Sequence, residues 1–231
     1  MSQPPQIRDA ATTILVRDAA TRPRVLMGQR GANAIFMPGK FVFPGGAVDD
    51  ADRKVPLAEP LPPGSASRLS EENTGTAPGG LAVAAIRELW EETGQILGQR
   101  GDWSAPPQNW SGFAASGHRP AAGALSFVFR AITPPGRPRR FDARFFLAPA
   151  EALQTDPDDF SGASGELSHL QWVPLTDARA FDLPFITTIV LSQIAARLPD
   201  LAPPTEVPFF SGNDEEMLYR HLRGQAPRPA F

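Results

Sequence analysis

The chain has 231 residues, of which 42% are hydrophobic and 20% are charged, and its formal net charge is −3. This length favours one elaborated domain over two, and the small negative charge excludes a broad positive field that would attract nucleic acid. Because there is no cysteine and there are only three histidines, thiolate chemistry is excluded and any metal site is expected to use oxygen ligands.

The composition also predicts where the chain acts and on what. No apolar run approaches the length of a membrane span, and residues 1–11 lack the basic and apolar segments of a secretory signal. We therefore expect a cytoplasmic protein whose partner is a small molecule and not a nucleic acid or a membrane. The oligomeric state is left open, with a homodimer as one option.

The first third of the chain predicts three strands followed by a long loop. Short β-branched or apolar runs at 12–17, 24–30 and 41–48 are typical of strands, and the third run ends in a Pro-Gly-Gly turn. From about 49 to 80 the composition changes to Pro, Gly, Ser and Glu without a clear period. That change favours an inserted loop.

A central helix and further strands follow this loop. Apolar residues at helical spacing make 81–97 the clearest helix. The later elements are predicted as strands at 125–133, 143–148 and 170–174, an amphipathic helix at 185–198, and a C-terminal extension after about 200 with a short helix around 215–222 and then coil. This order favours a single domain over 1–231, built on a mixed sheet flanked by helices.

The helix at 81–97 carries carboxylates on one face. Because each residue advances a helix by about 100°, Glu88, Glu91 and Glu92 lie on one side, away from the apolar residues. Like charges at this spacing repel one another, whereas Mg²⁺ binds carboxylate oxygens. Arg87, four residues before Glu91, can orient that carboxylate by a charge-assisted hydrogen bond. The alternative is the solvated acidic face of an ordinary surface helix.

The residues around this helix resemble a known family. Residues 87–94 read R-E-L-W-E-E-T-G and are similar to the C-terminal half of the Nudix box, while 45–52 (G-G-A-V-D-D-A-D) resemble its N-terminal half, with roughly 53–79 inserted between them. The resemblance implies a Nudix-type α-β-α sandwich of the α/β (α+β) class, with a mixed sheet and inserted loops. It also implies that the chain hydrolyses a nucleoside-diphosphate-linked substrate with Mg²⁺ or Mn²⁺.

The resemblance implies a role for each matching residue. Glu88, Glu91 and Glu92 match the metal-binding glutamates, and Glu91 and Glu92 are also candidate catalytic groups. Arg87 matches the arginine that holds one of these glutamates and joins them as a candidate catalytic residue. A backbone carbonyl of the glycine turn, here assigned to Gly45, often completes the metal shell in this family.

The chain departs from the family pattern at three places. Gln95 follows the helix where an aliphatic residue is usual, and Asp52 replaces a glutamate that is mostly structural in the family. The insertion between the two halves of the box lies where it can reshape the substrate mouth. None of these departures removes a metal ligand.

The segment before the box resembles the coenzyme A diphosphatase branch. Residues 26–46 (L-M-G-Q-R-G-A-N-A-I-F-M-P-G-K-F-V-F-P-G-G), the insertion and 133–146 resemble the nucleoside diphosphate-linked moiety X motif 19 type, although Ile35 stands where many members of the branch have arginine. This implies that coenzyme A or acyl-coenzyme A is cut to 3′,5′-ADP and (acyl-)4′-phosphopantetheine. The alternatives are an ADP-ribose or dinucleotide diphosphatase, and a Nudix-fold sensor that binds a nucleotide without cutting it.

Residues outside the box complete the predicted site. The general base would be a box glutamate or a later carboxylate, for which Glu166 is the candidate, unless it is only an exposed loop residue. Arg139, Arg140 and Arg144 belong to a basic cluster that would bind the 3′-phosphate of coenzyme A or simply solubilise a turn. Arg30 is a further candidate for binding a phosphate.

Overall fold

A computed structural model describes residues 5–212 and 217–225 of the chain, in which a nine-stranded sheet lies between helices. The strands are β1 (Ile7–Arg17), β2 (Arg24–Arg30), β3 (Phe41–Val42), β4 (Gly45–Ala47), β5 (Gly98–Arg100), β6 (His118–Pro120), β7 (Ser126–Ile132), β8 (Arg140–Pro149), β9 (Leu167–Pro174), β10 (Val207–Gly212) and β11 (Met217–Leu222). The α-helices are α1 (Pro63–Ser70), α2 (Pro78–Thr93), α3 (Ser111–Ala115) and α4 (Phe185–Arg197). Within these two ranges no helix is long and apolar enough to cross a membrane.

The centre of the sheet is the parallel pair of β1 and β8. Their register runs from Ile7 opposite Arg140 to Val16 opposite Pro149. The order across the sheet is β11-β10-β7-β8-β1-β2-β3, with β4 beside β1 and β9 beside β2, while β5 and β6 form a separate pair. The β7–β10 pair is also parallel, and the remaining pairs are antiparallel. The predicted fold class, a mixed sheet flanked by helices, is confirmed.

Helices cover both faces of the sheet. Side chains alternate across a strand, so Ala11 and Leu15 of β1 pack in the core cluster that contains α2. Ile14 and Val16 point the other way, into the cluster that contains α4. The sheet is therefore covered on both sides, and the carboxylate-bearing helix α2 is anchored to its centre.

Helix α2 lies close to β1 and has well-defined ends. The Thr13 hydroxyl of β1 donates a hydrogen bond to the carbonyl of Ala85 at 3.0 Å. Pro78 is the first residue of the helix, a position at which a backbone N–H would have no hydrogen-bond acceptor within the helix. Gly94 follows the last helical residue with a left-handed φ of 77°. The helix predicted over 81–97 therefore ends earlier, at Thr93.

The prediction of a loop over 49–80 is wrong. This insertion contains a 3-10 turn (Asp52–Lys54), the whole of α1 and the start of α2. Leu61 and Leu69 are buried in the core cluster on the α2 side of the sheet. Closely spaced prolines and glycines hide the helical period of α1, so the packing of the insertion was not visible in the sequence.

The C-terminal segment also differs from its prediction. In place of a helix around 215–222, β10 and β11 form an antiparallel hairpin in which Val207 lies opposite Leu222; residues 213–216 lie outside the described ranges. Val207, Phe209 and Leu222 are buried in the core. The β10 strand pairs with β7, which lies far earlier in the chain, so no local pattern could reveal this partner.

Candidate active site

The turn of Gly45 and Gly46 lies directly against the carboxylates of α2. The Gly45 N–H donates a hydrogen bond to the Glu92 carboxylate at 2.8 Å. A Cβ placed on Gly46 would come within 2.5–2.6 Å of the Glu88 carboxylate atoms, so any side chain there would displace this carboxylate. The two glycines therefore allow the backbone of β4 to approach two glutamates of the helix.

The half-buried Glu88 and the buried Glu92 form a carboxylate pair. The pKa of Glu92 is raised to about 8, chiefly by burial and also by the nearby charge of Glu88, while the Gly45 N–H and the Arg30 charge oppose the rise. Burial likewise raises the pKa of Glu88 to about 7 against the opposing charge of Arg87. A divalent cation bound between these two carboxylates would stabilise their ionised forms.

Arg87 connects the two halves of the box. Its guanidinium binds the Asp52 carboxylate through two hydrogen bonds, from Nε at 2.9 Å and from Nη2 at 3.0 Å. Its Nη1 atom lies 2.8 Å from the Glu91 carboxylate and 2.9 Å from that of Glu88. Because the Asp52 side chain is fully buried, this residue is the internal partner that holds Arg87 in place.

The three glutamates do not converge on one point. In the two ranges that the structure describes, no group of three His, Asp or Glu side chains is placed to hold one ion. Glu88 and Glu91 both contact Arg87, whereas Glu92 contacts Gly45. Mg²⁺ is usually bound by one or two carboxylates together with water and phosphate oxygens. The carboxylates of Glu88 and Glu92 therefore fit a divalent cation in donor type and charge, whereas the Glu91 carboxylate contacts Arg87.

Glu166 lies close enough to influence this pair. Its negative charge raises the pKa values of both Glu88 and Glu92. The residue is exposed and immediately precedes β9, whose first residue, Leu167, pairs with Arg30 of β2. Glu166 is therefore open to solvent and within electrostatic range of Glu88 and Glu92.

The four arginines predicted to bind substrate do not form one surface. Arg30 lies near the carboxylate pair, since its charge lowers the pKa of Glu92. Arg139 is exposed, and the neighbouring Arg140 is half-buried and donates from Nε to the carbonyl of Thr133 at 2.9 Å. Only Arg30 is thus shown beside the carboxylates.

The prediction that Arg144 binds a substrate phosphate does not fit its buried position. Its side chain is 1% exposed and forms ion pairs with Asp9 at 2.7 Å and with Asp142 at 3.1 Å. Its Nη2 also donates to the Asn73 side chain in the insertion. The Arg144 side chain points from β8 into the interior of the protein, where Asp9, Asp142 and Asn73 bind its guanidinium. It is therefore not available to a substrate phosphate.

The half-buried Asp9 and the buried Gln95 make structural contacts that the sequence did not predict. Asp9 accepts hydrogen bonds from the backbone and the hydroxyl of Thr76, both at 2.7 Å, and thereby attaches the insertion to β1. Gln95 is fully buried and binds a distant loop. The only sequence signal for Gln95 was its departure from the aliphatic residue usual at this position, and Asp9 had no sequence signal.

The fold and this arrangement together define the class of protein: a mixed-sheet sandwich in which a glycine turn meets a helix of glutamates. The NUDIX domain family matches residues 7–190, and the chain therefore belongs to the Nudix family. Nudix hydrolases generally use divalent metal ions and act on small nucleotide derivatives.

Individual relatives support the family assignment. The chain is 31% identical over 179 residues to "Putative nudix hydrolase 7" of Caenorhabditis elegans, covering 72% of this chain and 51% of the relative. It is 35% identical over 98 residues to human "Acyl-coenzyme A diphosphatase NUDT19", covering 32% of this chain and 26% of the relative. The chain thus spans about half, or less, of the length of these two proteins.

A solved structure is similar over most of the fold. The crystal structure of a NUDIX hydrolase from Alicyclobacillus acidocaldarius has 30% sequence identity and a TM-score of 0.62. The similarity covers 84% of this chain and 93% of that one. Both the sheet and its flanking helices therefore follow a known family architecture.

Proposed function

We propose that this chain is a metal-dependent diphosphatase that hydrolyses coenzyme A or an acyl-coenzyme A to 3′,5′-ADP and (acyl-)4′-phosphopantetheine. The observation that carries the hydrolytic activity is the carboxylate pair of Glu88 and Glu92 held against the turn of Gly45 and Gly46. The choice of substrate is supported by the partial match to a relative named as an acyl-coenzyme A diphosphatase. The cytoplasmic location predicted from the sequence is part of this proposal.

The proposed metal ligands are the carboxylates of Glu88, Glu91 and Glu92 and the carbonyl of Gly45. Mg²⁺ or Mn²⁺ bound there would neutralise the charge of the diphosphate and lower the pKa of a bound water. Arg87 holds Glu88 and Glu91 in place through Nη1. Release of Glu91 from this contact would let its carboxylate turn toward the pair.

The remaining chemistry is assigned to residues around the pair. Glu166 is the proposed general base: it accepts a proton from water as the water oxygen bonds to phosphorus and the bridging phosphorus–oxygen bond breaks. Arg30 is the proposed partner of the diphosphate oxygens, because it lies near Glu92. The exposed Arg139, with Arg140 beside it, is proposed for the 3′-phosphate, since arginine binds phosphate through two parallel hydrogen bonds.

The test is hydrolysis of coenzyme A, ADP-ribose and NADH with Mg²⁺, followed by chromatography of the products. Wild-type protein is expected to release 3′,5′-ADP from coenzyme A, and Glu92→Gln should reduce the rate by about 100-fold or more. Glu151→Gln, which removes the same charge at an exposed position after β8, is the matched control and should retain activity.

Each other outcome rejects a different part of the proposal. Turnover of ADP-ribose or NADH alone would retain the metal-dependent chemistry and reject coenzyme A as the substrate. Nucleotide binding without turnover of any of the three would reject catalysis and favour a sensor. An equally active Glu92→Gln variant would reject the assignment of the metal site.

A further inference from the structure

Gln95 attaches a long loop to the end of the catalytic helix. The loop comprises residues 155–166, called here the 155–166 loop, and leads into β9. The Gln95 Oε1 accepts a hydrogen bond from the Thr155 hydroxyl at 2.6 Å. Its Nε2 donates to the carbonyls of Asp156 at 3.1 Å and Asp159 at 2.8 Å. All three contacts of this buried amide are therefore made with the first part of the loop.

The far part of the same loop is also held by the helix. The Ser164 N–H donates to the carbonyl of Glu91 at 2.8 Å, within the last turn of α2. Gly94 and Gly162 approach so closely that a Cβ on Gly94 would lie 3.1 Å from the Gly162 Cα. Glu166 lies two residues after Ser164 and directly before β9, so the loop and the start of β9 together set the position of this carboxylate.

Contacts with the sheet hold the middle of the loop. Arg17 of β1 forms an ion pair with Asp158 at 2.7 Å, and the Trp172 indole donates to the carbonyl of Pro157 at 2.9 Å. The Asp158 carboxylate is largely exposed, and pairs of this kind contribute little. The buried amide of Gln95 is the stronger constraint, because an apolar replacement would leave loop carbonyls without a donor.

We propose that Gln95 is a positioning residue, which fixes the 155–166 loop on the end of α2 and thereby sets the place of Glu166 beside Glu88 and Glu92. An aliphatic side chain, usual in the family at this position, has no hydrogen-bonding group and could not make these contacts. The role of Glu166 as the base rests on the proposed function, whereas the attachment of the loop does not.

The attachment is tested by hydrogen–deuterium exchange on the full-length chain. Gln95→Met keeps the volume of the side chain but removes its hydrogen bonds, and is expected to raise amide exchange across 156–164 about tenfold or more without changing exchange in β1. Gln154→Met, at an exposed position just before the loop, is the matched control. If amide exchange across 156–164 is the same in Gln95→Met as in the wild type, the proposal is overturned.

The link to catalysis is tested by a double-mutant cycle on coenzyme A hydrolysis. Gln95→Met should lower kcat about tenfold with little change in KM, and should have no further effect in a Glu166→Gln background, because both changes act through one carboxylate. Mn²⁺ affinity should stay unchanged. Equal losses in both backgrounds, or a fully active Glu166→Gln variant, would overturn the proposal.

The two proposals fail in different ways. A wild-type chain without turnover would reject the proposed function, and the exchange measurement would still decide whether Gln95 holds the loop. Wild-type turnover combined with unchanged exchange in Gln95→Met would reject the role of Gln95 alone.

Discussion

Arg87 makes the most charged contacts of any single residue at the candidate site. Its planar guanidinium binds the Asp52 carboxylate with two nitrogens and reaches Glu88 and Glu91 with the third. Lysine lacks this fork and could not make all of these contacts at once. The Asp52 side chain is fully buried, so Arg87 supplies the charge that makes its burial tolerable.

Replacing Arg87 should therefore destabilise the whole chain as well as the site. We expect Arg87→Ala to lower the free energy of unfolding by about 3–5 kcal/mol, because it leaves a buried carboxylate unpaired. The measurement is urea unfolding. Arg139→Ala, which removes an exposed arginine, should stay within about 0.5 kcal/mol of the wild type.

A second variant separates the loss of the pair from the loss of packing. Asp52→Asn combined with Arg87→Ala removes the unpaired charge and should recover part of the lost stability. If the double variant is less stable than Arg87→Ala, the charge of Asp52 is not the source of the loss.

At the scale of elements, the C-terminal end of α2 determines where the 155–166 loop can lie. Gly94 adopts a left-handed φ of 77° and its N–H donates to the Trp90 carbonyl at 2.7 Å. The next residue, Gln95, leaves the helix axis and enters the core. Gly94 therefore ends the helix and also provides the close contact with Gly162.

Substitution of Gly94 is expected to disturb both features. Gly94→Ala should lower the free energy of unfolding by about 1–2 kcal/mol, since a left-handed conformation is unfavourable for alanine. Gly79→Ala, in the first turn of the same helix with nothing within 4 Å of the added Cβ, should instead stabilise by up to about 1 kcal/mol. Urea unfolding measures both, and equal effects would contradict this account.

At the scale of the whole molecule, the C-terminal hairpin completes the sheet. Phe209 of β10 is 2% exposed. The guanidinium groups of Arg130 and Arg220 lie over its ring, at 4.3 Å and 4.8 Å from the ring centroid. The hairpin of β10 and β11 thus contributes Val207, Phe209 and Leu222 to the core.

Truncating Phe209 tests this integration. Phe209→Ala should lower the free energy of unfolding by about 3–5 kcal/mol through loss of burial and a residual cavity. Phe185→Ala removes the same ring at a site that is 66% exposed, and should change stability by about 0.5 kcal/mol or less. Similar values for the two variants would show that the hairpin is not part of the cooperative core.

Protonation of the carboxylate pair links the site to global stability. Glu88 and Glu92 have pKa values of about 7 and about 8 in the folded chain, above the ordinary 4.5. Between about pH 4.5 and about pH 8, the two carboxylates bind more protons in the folded chain than in the unfolded chain. The metal-free protein should therefore lose stability as the pH rises through this range. Mg²⁺ binds the ionised carboxylates, so its stabilising effect should grow over the same window.

Thermal melts with EDTA or Mg²⁺ at about pH 5.5 and about pH 8 measure this linkage. Free Mg²⁺ at about 100 times its Kd at about pH 8 should add about 2.7 kcal/mol there, and the same Mg²⁺ concentration should raise the Tm less at about pH 5.5, because protonated carboxylates bind the ion more weakly. Glu92→Gln should weaken both the pH dependence and the Mg²⁺ effect. A Mg²⁺ effect independent of pH would contradict the assignment of these two carboxylates.

The sequence alone determined the features that depend on local spacing. The run at 24–30 predicted β2 with its observed limits, and the helical period placed Glu88, Glu91 and Glu92 on one face of α2. The Nudix resemblance was correct because its residues lie in two short motifs. Alternation and helical period are set by neighbouring residues, so they can be detected without knowledge of distant partners.

Tertiary structure decided everything that depends on partners far apart in the chain. The pairing of β10 with β7 turned an expected helix into a strand, and packing on the sheet ordered α1 within an expected loop. The ion pairs of the buried Arg144 keep it away from the candidate site. The contacts of Gln95 with the 155–166 loop exist only in the folded chain. The free energy of these contacts comes from burial and pairing across the fold, which local composition does not encode.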